Sequence, residues 1–332
     1  MDFSTLYKKI VSSYKKSPSL YRESLFWKHY NKLNQAQLEE RGYENFKQTA
    51  NWNYYQFEIS SIRNIYLLFL FSVTPKLESL KILLRSKIKN CSLPWFRRLI
   101  YKYFIGTLYE FVAKIDSQKI LDGIAEPLEG NPVLVSYKNK LLSQDVLSST
   151  LEFYTLEEAA QISQKKFLKI AELGAGYGRL AYLITSLLKN KDVKYCIFDI
   201  PPALCVAEYY LTRVFPDIKI LKFREFKNFK EIKKEFEKSQ ICLFLPYQLE
   251  LLPPKIFDIF ISISNLPEMR FKQIANYFKQ INRLCRGYYY NKQFWDHFNA
   301  QDNLRMRFID YPALPNWRPL LLRPALAQKD FF

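Results

Sequence analysis

The chain is 332 residues long, enough for one large domain or two ordinary ones. Some 48% of residues are apolar and 25% are charged, which excludes a disordered chain and leaves ample material for a core. Fifty Lys and Arg against 32 Asp and Glu give a formal net charge of +18, a sign that favours anionic partners. An AT-rich genome would raise the lysine count equally well, because Ile, Asn, Phe and Tyr are abundant too. The first hundred residues hold +10 of the surplus, residues 101–250 only +2, and the remainder +6.

The longest apolar run, Ile65–Val73, is far shorter than the roughly 20 residues of a membrane-spanning helix. The N-terminal MDFSTLYKKIVSSYKK lacks an apolar stretch followed by a small-residue cleavage site, so no signal peptide is expected. Cys91, Cys196, Cys205, Cys242 and Cys285 show no CxxC spacing, which argues against a disulfide framework and a zinc site. A soluble protein of a reducing cytoplasm, with no metal, is the expectation.

In chain order, the first hundred residues hold one glycine, Gly42, and read as helical. Leu77–Ile88 carries an apolar stripe with Lys81, Arg85 and Lys87 set apart from it. A second basic-apolar stretch follows at Trp95–Phe104. Both fit helices packed on the rest of the protein, or helices resting on an anionic membrane surface. Residues 122–133 contain two glycines and two prolines and suggest a boundary. The expected division is a helical region over 1–125 and a second domain over 126–332.

Ser143, or Gln144 with Asp145, is placed to open a helix through Tyr154. Phe167–Leu173 then reads as a buried strand, Gly178–Leu188 as a helix, and Val193–Phe198 as a strand closed by Asp199. Pro201 and Pro202 suit the first turn of a helix reaching about Val214. Ile241–Leu245 and Phe257–Ile263 are further strands. This alternation predicts an α/β fold, a parallel sheet with helices on both faces.

The central motif runs from Ala171 to Arg179, AELGAGYGR. Gly174, Gly176 and Gly178 are three of only eight glycines in the chain, so the loop reflects a backbone requirement. The pattern is acidic–x–G–x–G–x–G, headed by Glu172. It departs from the dinucleotide GxGxxG, whose last position is here Arg179. Asp199, 21 residues beyond Gly178 at the end of the next strand, is a carboxylate placed to accept two ribose hydroxyls.

Loop and carboxylate together resemble motif I of the Rossmann-like, class I S-adenosylmethionine methyltransferases. A narrower resemblance, to a bacterial group of sugar O-methyltransferases, begins at EPLEGNPVLVSYKNKLLSQD (Glu126–Asp145). It continues through ELGAGYGRLAYLI, FDIPPALCVAEYYLTRVFPD, ISISNLPEM and YYYNKQFW to YPALPNW, ending at Trp317. The resemblance implies S-adenosylmethionine as cofactor. It also implies cofactor contacts at Glu172, Gly174, Ala175, Gly176, Tyr177, Gly178, Asp199, Ile200 and Gln248. Phe198 and Leu249 join Ile200 as expected apolar partners of the adenine. An asparagine is expected early in the fourth-strand segment, where this chain has Ser262 and Ser264 before Asn265.

Methyl transfer from a sulfonium is an in-line displacement, and a sugar hydroxyl needs a general base or a metal. Glu268, in NLPEM beyond the fourth strand, is the first candidate base, followed by Asp145 and then His297, one of only two histidines. Arg179 suits the cofactor carboxylate or a phosphate on the acceptor. The expected function is O-methylation of a sugar in a cell-surface glycan or its nucleotide- or lipid-linked precursor, with peripheral membrane contact through the basic N-terminal helices. One alternative is a nucleic-acid methyltransferase, though no NPPY-type tetrapeptide or RNA-binding motif is present and no nucleic-acid partner is expected. The other is a non-enzymatic membrane-surface assembly factor, which the intact Glu172, glycines and Asp199 speak against.

Overall fold

A computed structural model describes residues 3–49, 81–82, 84–89, 95–312, 314 and 316–326. Ile65–Val73, the start of the expected Leu77–Ile88 helix, Cys91 and Leu93–Pro94 lie outside the described residues. The first described elements are α1 (Phe3–Lys15), α2 (Leu25–Arg41), β1 (Lys87–Lys89), α3 (Trp95–Ile115) and α4 (Ile120–Gly123). Next come β2 (Leu134–Tyr137), β3 (Lys140–Leu142), α5 (Gln144–Ala160), β4 (Phe167–Leu173), α6 (Arg179–Leu187), β5 (Asp192–Phe198) and α7 (Ala203–Val214). The chain continues through β6 (Ile220–Leu221), α8 (Lys233–Lys238), β7 (Ile241–Phe244), β8 (Phe257–Ile263), α9 (Phe271–Leu284) and β9 (Cys285–Lys292). It finishes with the hairpin β10 (Asp296–Asn299) and β11 (Leu304–Arg307).

Two compact units result. One consists chiefly of Met1–Gln35 with Leu156–Arg323, the other of Ala36–Thr155 with Pro324–Asp330. The boundary expected at 125/126 therefore falls inside the second unit. The Gly/Pro-rich 122–133 stretch does not separate domains; it feeds Val133 and Val135 into that unit's own core.

The first unit is built on a six-stranded sheet in the order β6-β7-β5-β4-β8-β9, parallel throughout. The chain moves from β4 outward through β5 to the edge strand β6, steps back to β7, then crosses to β8 and leaves in the opposite direction to β9. Right-handed crossovers then place the helices after β4 and β5 on one face and α9 on the other. This is the predicted Rossmann-like α/β architecture. The reversal between β4 and β8 is the topological switch point, where ligands bind beyond the carboxyl ends of the strands. The strands are nearly continuous apolar runs, as burial on both faces requires. Phe198, Phe244, Phe257 and Phe260 fill the core between them. Lys194 is a buried exception: its ammonium donates to the carbonyls of Phe236 (2.5 Å) and Ser239 at the end of α8.

The second unit packs α3 and α5 against the antiparallel β1-β2-β3 sheet. The helix expected through Ile88 stops short, because Lys87–Lys89 pairs with Leu134–Ser136 in this sheet. Ser86 ends the helical turn by donating both its amide (3.0 Å) and its hydroxyl (2.6 Å) to the Ile82 carbonyl. In α3, Tyr101, Tyr103 and Phe104 turn into the core, while Trp95 and Leu99 remain exposed. No helix among the described residues is long and apolar enough to cross a membrane. The described cysteines Cys196, Cys205, Cys242 and Cys285 are buried free thiols.

A buried ion pair anchors the second unit: Lys47 Nζ lies 2.6 Å from Glu126 Oε1, with both side chains almost fully enclosed. Ser143 donates to the other Glu126 oxygen. Burial pushes the Glu126 carboxyl above its usual range, against the opposing pull of Lys47. Lys47→Ala leaves that carboxyl buried without its counter-charge and is expected to destabilise this unit by about 3–5 kcal/mol. The double variant Lys47→Met/Glu126→Gln recovers most of the loss. Urea unfolding followed by hydrogen exchange at α3 amides measures both.

Candidate functional site

The site forms where β4, β5 and β8 end. The β4–β5 ladder continues one step past β4, with the Gly174 amide donating to the Phe198 carbonyl at 2.9 Å. The chain then turns through Gly174 (φ +71°), Gly176 (φ +61°) and Gly178 before α6 begins at Arg179. At Gly174 a side chain is excluded twice. Its φ is left-handed, and a Cβ there would stand 2.5 Å from Asn265 Nδ2. Gly176 takes its left-handed turn so that its amide can donate to Asp199 Oδ2 at 2.8 Å.

Asp199 is held from both sides. Its own amide donates to the Phe244 carbonyl at 3.1 Å, extending the β5–β7 ladder. Its second carboxylate oxygen accepts from the Ile200 amide at 2.7 Å. A carboxylate offers about four acceptor positions, so roughly two remain for a ligand. Burial raises the Asp199 pKa to about 7; the Gly176 and Ile200 amides hold it down, and nearby Glu172 pushes it up.

Glu172 itself is buried and accepts from the Tyr195 hydroxyl at 2.7 Å. Its oxygen is engaged inside the sheet, and its charge bears on the loop through Asp199. Ala175 is buried and its carbonyl closes the turn to the Gly178 amide at 3.1 Å. Tyr177 is turned inward, ring to ring with Tyr210 at 5.0 Å, so what it presents to the loop is backbone.

Two expectations are corrected. Gln248 is fully buried, with its Oε1 accepting from the Leu245 amide (2.8 Å) and its Nε2 donating to the Arg224 carbonyl (2.9 Å). Both ends of the amide are used in shaping the turn after β7, so it is no cofactor contact. Phe198 and Leu249 are core residues, Phe198 lying 5.3 Å from Phe244 in a stacked pair, and neither has a face left for an adenine. Ile200 keeps partial exposure beside Asp199.

Of the three candidate bases, Glu268 is the one brought to Asp199. It lies in the Leu266–Glu268 turn beyond β8, where its Oε2 is buried without a hydrogen-bond partner among the described residues. Burial, then the charge of Asp199, raises its pKa to about 8. The Ser24 hydroxyl fixes its backbone by donating to the Glu268 carbonyl at 2.6 Å. His297 sits in β10, stacked on Phe294 at 5.2 Å; burial lowers its pKa, and the carboxylate acting on it is Asp296, not Glu268. Asp145 belongs to the other unit, in the first turn of α5, where its charge acts on Glu126.

Sequence reading missed the clamp beneath the loop. Asn265 Nδ2 donates to the Leu173 carbonyl, while its Oδ1 accepts from Ser262 Oγ at 2.6 Å. Gln293 Oε1 accepts the Asn265 amide at 3.1 Å, and its Nε2 donates to the Ser262 carbonyl, also at 3.1 Å. This buried network joins the ends of β4, β8 and β9. The asparagine was expected early in β8; it acts instead just after the strand, past Ser264 at φ +52°. No group of three or more His, Cys, Asp or Glu able to hold a metal occurs among the described residues.

No family model matches the chain, and no curated protein does. Among solved structures, the chain is similar to an arsenic(III) S-adenosylmethionine methyltransferase from Chlamydomonas reinhardtii, at 19% identity over 39% of each chain with a TM-score of 0.28. It is also similar to the YcgJ protein of Bacillus subtilis (11% identity, 44% of this chain and 50% of that one, TM-score 0.29). A third is the PH0226 protein of Pyrococcus horikoshii OT3 (18% identity, 43% and 57%, TM-score 0.30). The chain thus spans about two-fifths to three-fifths of their lengths.

Asn265→Ala leaves the Leu173 carbonyl and Gln293 short of partners and is expected to cost about 1–3 kcal/mol in urea unfolding. Glu268 adds a pH signature. A carboxyl whose folded pKa is raised from 4.5 to about 8 stabilises the fold fully below pH 4.5, and that contribution is lost as pH rises toward 8. The melting temperature of Glu268→Gln, measured against the parent protein, should therefore gain steadily between pH 5 and pH 8.

Proposed function

We propose that this protein transfers a methyl group from S-adenosylmethionine to a hydroxyl of a sugar, in a cell-surface glycan or its nucleotide- or lipid-linked precursor. One observation carries the reading: Asp199, bonded to the Gly176 amide at 2.8 Å, and Glu268, with a buried unpartnered carboxylate oxygen, share the switch point of a parallel sheet. The residues fit the cofactor. The loop at Gly174–Gly178 brings main chain within reach of a ligand, and Asp199 has acceptor capacity left for ribose hydroxyls.

The bound cofactor supplies an electrophilic methyl on a sulfonium. The chain's own residues orient it and prepare the acceptor. Glu268, with a pKa near 8, is matched to taking a proton from a hydroxyl at neutral to mildly alkaline pH. Arg179, at the start of α6, suits the cofactor carboxylate or a phosphate on the acceptor. A lipid-linked acceptor would suit peripheral membrane contact. In α1, Leu6, Ile10 and Tyr14 are buried, which leaves Lys8 and Lys15, with Lys16 just beyond the helix, exposed for an anionic surface.

Calorimetry with S-adenosylhomocysteine is the direct test, and saturable binding is expected, with NAD bound poorly. Gly176→Val places a β-branched side chain at a left-handed φ and should abolish binding. Asp199→Ala should weaken binding by about 1.5–3 kcal/mol, roughly ten- to a hundredfold. Because the ionised carboxylate is the acceptor and its pKa is near 7, affinity should rise between pH 6 and pH 8. Glu268→Gln should leave cofactor affinity nearly unchanged and cut turnover by about 10²–10⁴. Labelling of a tRNA or rRNA pool in place of nucleotide-sugars and glycan fragments would replace the sugar with a nucleic acid.

A further inference from the structure

The second unit contains a polar cluster that the cofactor site does not use. Lys47, Glu126, Ser143, Gln144, Asp145 and Ser148 gather around the start of α5, all of them buried. Most of these groups are accounted for locally. Lys47 answers one Glu126 oxygen and Ser143 the other. Ser143 also caps the helix, accepting from the Val146 amide at 3.3 Å. Two groups have no such account. Gln144 Oε1 and Ser148 Oγ are buried without a hydrogen-bond partner among the described residues, although each residue is only 7% exposed.

Their placement is not scattered. Gln144 and Ser148 are four residues apart and Asp145 and Ser148 three apart, so all three project from one side of α5. Leaving buried polar groups unpaired is expensive, about 1–3 kcal/mol each, and folded proteins rarely tolerate two side by side without a use for them. The chemistry on offer is that of acceptors. A glutamine carbonyl accepts only, a carboxylate accepts only, and a serine does either. Lys47 is held by Glu126. A phosphate or carboxylate would meet the Asp145 and Glu126 carboxylates, whereas hydroxyl groups would be received.

We infer that the Gln144–Asp145–Ser148 side of α5 is a binding subsite for a neutral polyhydroxylated ligand, with Gln144 Oε1 and Ser148 Oγ hydrogen-bonding its hydroxyls. The inference rests on the proposed function for the ligand's identity, the sugar acceptor, and on the second unit alone for the site.

The test uses the full-length protein and the variants Gln144→Met and Ser148→Ala, singly and together. Methionine matches glutamine in length and in helix propensity, so its effect on stability reports the polar group itself. Thermal unfolding is read first. If the two groups wait for a ligand, replacing them with apolar atoms leaves the melting temperature unchanged or raises it. If they are structural, it falls by several degrees and the subsite is overturned.

Calorimetry with S-adenosylhomocysteine comes second. Affinity within twofold of the parent is expected, and a tenfold loss would give the cluster to the cofactor and overturn the inference. The third measurement is incorporation of tritiated methyl into a pool of UDP-, GDP- and dTDP-sugars. A tenfold or greater rise in acceptor KM in the double variant is expected, and an unchanged KM defeats the subsite. A parent protein that fails to bind S-adenosylhomocysteine defeats the proposed function, not the subsite. A fall in melting temperature overturns the subsite whatever the acceptor, because that measurement needs none.

Discussion

The geometry of the site depends on the hydrogen bond between the Gly176 amide and the Asp199 carboxylate. It is a bond between two loops that follow different strands, and it exists only because β4 and β5 end level with each other. Their ladder pairs Leu173 with Phe198 as its last step, and the Gly174 amide adds one more rung. Asp199 is then the first residue beyond the sheet on its strand, and its carboxylate accepts from the Gly176 amide of the glycine loop and from the Ile200 amide. A β4–β5 register shifted by one residue would carry this carboxylate to the other face of the sheet.

A second constraint works from below. The Asn265 side chain occupies the space that a side chain at residue 174 would need, and it holds the Leu173 carbonyl. The glycine at 174 is thus explained by an asparagine 91 residues later, through contact across the switch point. Ser262 and Gln293 complete the network, so the ends of three adjacent strands are tied by side chains as well as by the ladder. Loops carried by such an anchored rim can present their backbone to a ligand with little further ordering, which is where binding sites gain affinity.

Burial sets the electrical character of the rim. Burial raises Asp199 and Glu268 alike, and charge adds to it: Glu172 makes ionisation of Asp199 harder, and Asp199 that of Glu268. The result is a pKa near 7 for Asp199 and near 8 for Glu268, so the two titrate where a protein of neutral surroundings works. Strongly perturbed groups in a cleft mark functional sites more often than structural ones. The same low dielectric explains the Lys47–Glu126 pair in the second unit, where the charge is matched in place and serves the fold.

The sequence by itself determined the strands β4, β5, β7 and β8, the helices α6 and α7, the glycine loop, and the carboxylate at the end of β5. Those features rest on local physics: apolar runs of strand length, glycines where φ turns positive, and prolines at a helix start. Glu268 was legible as a residue beyond a strand end, since parallel sheets collect ligands there. What only the tertiary structure decided concerns partners distant in sequence. It turned Phe198, Leu249 and Gln248 from ring and cofactor contacts into core and turn residues, because burial depends on which strand lies alongside. It set His297 in β10 with Asp296 as the carboxylate acting on it, and it moved residues 1–35 into the sheet unit through bonds such as Ser24 to the Glu268 carbonyl. It also exposed the Asn265–Gln293 clamp, whose members are unremarkable polar residues until β8 and β9 pair. Periodicity and spacing report what a residue does to its own segment. Which groups then meet, and which stay unpaired in the interior, is settled by the packing of segments far apart in the chain.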